Sequence, residues 1–157
     1  MTELIRKKLN DSPIARWTAM FIVSFTMMCG YFITDVMASL EVMCTTPVAD
    51  GGLGWSSSEY GFFSGAYGYI NVFLLMLFFG GIILDKCGIR FTGVMSSSLM
   101  LGGALLKWYA LATDFGDATF MGYHLQVVLA SLGFAVFGMG AEITGITVSK
   151  VIIKWFT

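Results

Sequence analysis

Four polar side chains lie inside long apolar stretches of this chain: Asp35, Tyr67, Asn71 and Glu142. A carboxylate, phenol or amide in apolar surroundings can carry a proton, bind a cation or hold a polar solute, and it must face a cavity or another helix. Tyr60, Ser64, Tyr67 and Asn71 recur at helical spacing and make one polar stripe. A second group, Gly81, Asp85, Lys86, Gly88 and Arg90, falls in the run G-I-I-L-D-K-C-G-I-R between two apolar stretches. Asp85 ends a helix, where the macrodipole disfavours its charge. It therefore requires a partner, either a cation such as Arg90 or the N-terminus of another helix. Gly88 permits a backbone angle that other residues resist, and Gly81 allows a close helix approach one turn before the acid.

The elements that must position these groups are membrane spans. Of 157 residues, 57% are hydrophobic and 12% charged, more apolar surface than one small core can hide. Four spans are expected at about 14–40, 60–84, 91–112 and 123–149, each long enough for the roughly 20 residues that cross a bilayer. Arg6, Lys7, Lys8 and Arg16 precede or open the first span, Lys86 and Arg90 fill the second connection, and Lys150 and Lys154 follow the fourth span. The other two connections hold Glu41, Asp50, Glu59, Asp114 and Asp117 and no Lys or Arg. The positive-inside rule then puts both chain ends in the cytoplasm. The fold class is an all-α membrane protein with four transmembrane helices, multi-pass, expected in a bacterial inner (plasma) membrane. The formal net charge of -1 points to no nucleic-acid partner.

Local signals refine the pattern. Ser12 and Pro13 suit the start of the first helix, and Ser56 with Glu59 has capping-box spacing. Gly61 and Gly65 form a G-x-x-x-G step that would let another helix approach. Lys107 is expected to snorkel to the outer interface beside Trp108. His124 is expected at the interface where the fourth span starts. With one His, no clustered metal ligands and no nucleophile–base spacing, the chain reads as neither an enzyme nor a metal or cofactor protein.

The run from Gly81 to Arg90 resembles the G-x-x-x-D-[RK]-x-G-x-[RK] signature of the major facilitator superfamily, and the charge topology agrees with it. A looser likeness spans most of the chain. Tyr31 with Asp35, Trp55 with Glu59, Tyr67 with Asn71, the run Phe79–Ile82 before Asp85, Gly138-x-Gly140-x-Glu142 and Trp155-Phe156 resemble the branch of the lysosomal dipeptide carrier and its bacterial relatives. That branch carries a proline where this chain has Ile70. The resemblance implies an alternating-access transporter of small organic solutes such as dipeptides, with the chain forming the first part of a six-helix N-terminal half. Asp35, Tyr67, Asn71 and Glu142 would line the substrate or proton pathway. Asp85, with Gly81, Lys86, Gly88 and Arg90, would latch one conformational state. The partners implied are the lipid bilayer, a small-molecule substrate and C-terminal transmembrane helices missing here, so the chain reads as an incomplete fragment. The alternative is a stand-alone four-helix membrane protein that acts as an oligomer.

Overall fold

The structure, a computed structural model, describes residues 12–116 and 118–156. Arg6, Lys7, Lys8 and Asp117 of the charge pattern lie outside them. The chain folds as helix α1 (Pro13–Ser39), a short α2 (Glu41–Thr45), a 3₁₀ turn (Val48–Asp50), α3 (Ser57–Phe73), α4 (Met76–Ala112), a two-residue hairpin of β1 (Thr119–Phe120) and β2 (Tyr123–His124), and α5 (Leu125–Phe156). Three of these helices are long and apolar enough to cross a membrane: α1, α4 and α5. Both expected caps form. Ser12 Oγ accepts from the Ala15 amide. Ser56 and Glu59 close a reciprocal capping box at the start of α3.

The expected second span, 60–84, is interrupted. α3 ends at Phe73, and Leu75 takes a left-handed conformation (φ 47°, ψ 46°) before α4 begins. A Leu held there costs roughly 1–2 kcal/mol. The expected turn before the third span is present but tighter than a loop. Helical structure continues on both sides of Gly88, whose φ of 82° and ψ of 168° are not helical. That region is essentially glycine-only, and it reverses the chain.

The reversal is visible in what each part meets along α5. Going forward, Glu59 meets His124, Phe63 stacks on Phe134, Tyr67 meets Glu142, Gly80 faces Ile143 and Ile146, and Asp85 meets Lys150. Past Gly88 the order inverts: Gly93 lies by Thr147, Gly103 by Phe137, and Lys107 by Gly133. Segment 57–87 and segment 89–112 therefore run in opposite directions on one central helix. α1 runs antiparallel to α5, with Trp17 edge-on to Phe156 and Met27 near Gly145. In the most apolar window of each helix, 61% of α5 residues are buried against 6% in α1, which makes α5 the centre and α1 the rim.

Small residues make this centre possible. A Cβ on Gly103 would lie 2.4 Å from the Phe137 amide nitrogen, and one on Gly138 2.4 Å from the Tyr67 carbonyl. Neither backbone can move away without opening the bundle. Other glycines differ from expectation. Beyond their own helix backbone, Gly61 and Gly81 have no atom within 4 Å of an added Cβ, and the nearest atoms to one on Gly65 belong to Tyr69 of its own helix. The close approach expected at Gly81 occurs at Gly80, because the α5-facing side of α4 carries residues 80 and 84.

This packing sorts charge to two ends. Arg16, Lys86, Arg90, Lys150 and Lys154 gather with Asp85 at one, the basic end. Glu41, Asp50, Glu59, Asp114 and His124 gather at the other, the acidic end.

Candidate functional site

Of the polar stripe of α3, Tyr67 meets α5 midway between the two ends, whereas Ser64 is exposed and the Tyr60 hydroxyl donates to the Met37 carbonyl of α1. Gly138 has no side chain, so the Tyr67 backbone packs directly on α5, and the Tyr67 hydroxyl donates to Glu142 Oε1 at 3.0 Å. One turn on, the Asn71 amide nitrogen donates to the Tyr67 carbonyl at 3.0 Å, while the buried Asn71 Oδ1 has no partner. A buried acceptor left unpaired costs about 1–3 kcal/mol, so Oδ1 is a ready place for a donor. Beside the pair, Thr26, Tyr31 and Thr34 of α1, Met100 of α4 and Thr144 of α5 line a narrow cleft with Tyr67. The three threonine hydroxyls donate to their own helices, at Ile22, Gly30 and Gly140. Their oxygens remain as acceptors. The cleft wall itself offers hydroxyl oxygens, which suit a hydrogen-bond-donating group, while the Glu142 carboxylate and the buried Asn71 Oδ1 adjoin Tyr67 and are not among its lining residues.

The four expected pathway residues are only partly brought together. Tyr67, Asn71 and Glu142 form one cluster. Asp35 is exposed and makes no hydrogen bond or ion pair, although it lies within electrostatic reach of Tyr67.

At the basic end Asp85 finds a cation, Lys150 of α5, as a hydrogen-bonded ion pair. Arg90, named from sequence as a possible cation partner, is exposed, as is Lys86. The reason is geometric: α5 runs parallel to the arm that ends in Asp85, so its last turns reach the acid. Gly88 supplies the reversal and Gly81 sits on the open side of the helix.

Two features were not legible in the sequence. Glu59 is more than a cap. Its Oε2 accepts from the Ser56 amide and hydroxyl, each at 2.9 Å, and its Oε1 accepts from the His124 amide at 3.0 Å and meets His124 Nδ1 at 2.6 Å. Burial pushes this carboxyl up, but the His124 and Ser56 hydrogen bonds outweigh it and hold it down at about 2. Sixty-five residues separate the partners, and no local pattern links them.

The second is Lys107, which the structure places against expectation. It does not snorkel. It is 6% exposed, its Nζ has no hydrogen-bond partner, and it lies 4.8 Å from the Phe134 ring centre and 5.6 Å from that of Phe137. Position 107 sits on the α4 face that meets Gly133, so its stem is confined between helices. Trp108, one residue on, takes the exposed face instead. The two ring faces are the contacts that can stabilise the amine in its protonated form.

No protein-family model, curated protein or solved structure matches this chain.

Proposed function

We propose that this chain belongs to an alternating-access secondary transporter of small organic solutes, dipeptides among them, and works with further transmembrane helices. In this reading residues 60–84 cross the bilayer as a kinked second span between α1 and the 89–112 arm. Four spans then place the basic end in the cytoplasm. The observation that carries the reading is the Tyr67–Glu142–Asn71 cluster, a hydrogen-bonded polar group in the apolar middle of the bundle beside a cleft. Ionisable side chains at such depth are costly in a bilayer, and in transporters they line substrate and proton pathways. The major facilitator resemblance of Gly81–Arg90 supports it, with the Asp85–Lys150 pair as the latch.

The test is uptake of labelled dipeptide into vesicles holding the chain together with any downstream continuation of its reading frame. Glu142→Gln and Tyr67→Phe are expected to lower uptake by tenfold or more, about 1.4 kcal/mol. Uptake unchanged by both would remove the cluster from the pathway.

A second reading, a stand-alone four-helix protein that self-associates, is favoured by one observation: Gly61 lies open on the surface of α3, with nothing within 4 Å of an added Cβ. Cross-linking through a Gly61→Cys variant distinguishes the two, since only self-association yields a covalent dimer in dilute vesicles.

A further inference from the structure

At the acidic end lies an open cleft of about 1010 Å³, measured out to its solvent mouth. Trp55, Leu111, Thr113, Asp114, His124 and Gln126 are among its walls. It is separate from the Tyr67–Glu142 cluster, and its chemistry is independent of the transport reading.

The imidazole in this wall is held in a defined state. The Glu59 carboxyl, kept at about 2 by hydrogen bonds that outweigh its burial, is ionised across the ordinary pH range. An ionised carboxylate only accepts hydrogen bonds. With Glu59 Oε1 at 2.6 Å from Nδ1, the ring proton belongs on Nδ1. In the ring's neutral form the lone pair then lies on Nε2, at the edge turned away from Glu59. The His124 side chain is 48% exposed and the Glu59 side chain 8%, so the imidazole is the accessible member of the pair. The same division of labour, a carboxylate on one ring nitrogen and a ligand on the other, orients histidines in many binding sites.

We propose that this cleft binds a small primary-ammonium solute, with His124 Nε2 and the Asp114 carboxylate as its acceptors and Glu59 as the positioning residue that fixes the imidazole. The lining supports this charge. It contains Asp114 and, among the described residues, no Lys or Arg. The Asp114 carboxylate is itself held in place, accepting from the Gly116 amide at 2.8 Å. Gln126 Oε1 is occupied by the Trp55 indole N–H at 3.1 Å, which sets the amide's orientation. An ammonium group has three donors and no acceptor, so it suits a lone pair and a carboxylate. An anion would meet Asp114 with like charge.

His124 is the only histidine in the chain, so nitrogen NMR of histidine-labelled protein in lipid nanodiscs reads it alone. Without ligand, the neutral form of the ring is expected to show a protonated Nδ1 and a bare Nε2. Ethanolammonium should shift the Nε2 resonance saturably, and N-acetylethanolamine should not. Asp114→Asn should weaken the ethanolammonium response by about tenfold or more, as loss of a charge-assisted hydrogen bond requires. A neutral ring protonated on Nε2, no saturable shift, or an equal shift with the N-acetyl compound would each overturn the proposal. The tautomer is read on the unmodified protein, so misfolding of a variant cannot obscure it.

Discussion

Both ends of α5 are tied to the chain before it by a carboxylate and a basic side chain, yet the two ties differ in kind. At the acidic end the Glu59 side chain is 8% exposed and each of its oxygens serves two donors. At the basic end the side chains of Asp85 and Lys150 are 75% and 41% exposed and meet through a single contact. Burial changes what a charge pair is worth. An exposed pair contributes about 0–1 kcal/mol, and removing a buried, fully bonded partner leaves several donors unsatisfied. The acidic-end tie is therefore structural, and the basic-end tie is free to open.

The sharpest way to break this comparison is Glu59→Ala. It removes a helix cap and leaves the Ser56 and His124 amides unpaired, so a loss of about 2–4 kcal/mol is expected in unfolding of the chain in detergent. A loss below about 1 kcal/mol would make the two ties equivalent.

The same carboxylate predicts an acid limit. Its folded value, about 2, lies below the ordinary 4.5, so the unfolded chain takes up the proton first as pH falls. The stabilisation is present above about pH 4.5 and lost progressively toward pH 2. Thermal unfolding measured over that window should show a fall that Glu59→Gln flattens.

At the basic end the largest effect should come from backbone rather than charge. Gly88→Ala places a side chain in a glycine-only conformation and should cost about 1–3 kcal/mol. Asp85→Asn and Lys150→Met should each cost about 1 kcal/mol or less, shrinking further in high salt. If Asp85→Asn instead destabilised the chain as much as Glu59→Ala, the basic end would be a structural joint and a poor latch.

The two ends also differ in how far they were legible. The run Gly81–Arg90 announced a glycine reversal and an acid in need of a partner, a cation or a helix N-terminus, because such features are local; the reversal is present and the acid meets a cation. The partner was not, since Lys150 is distant in sequence and only the parallel run of α5 beside 57–87 brings it near. Capping by Glu59 was legible for the same local reason, while its bonds to His124 required the tertiary fold. Long apolar segments gave the helices, but hydropathy could not show the break at Leu74–Leu75, which lies among Leu, Met and Phe residues with no Pro or Gly. Of the candidate site, the stripe of Tyr67 and Asn71 followed from helical period. Its contact with Glu142 depended on Gly138 admitting the other helix. Lys107 was misplaced because an adjacent Trp suggests an interface, while the glycine that confines it sits on another helix.

The most direct measurement on the proposed four-crossing arrangement uses a native residue. Cys87 is exposed in the basic-end turn. With Cys29 and Cys44 replaced by Ala, a membrane-impermeant maleimide should label Cys87 in inverted membrane vesicles and leave it untouched in intact cells. Labelling in intact cells would put the basic end outside and contradict both the topology and the transporter reading built on it.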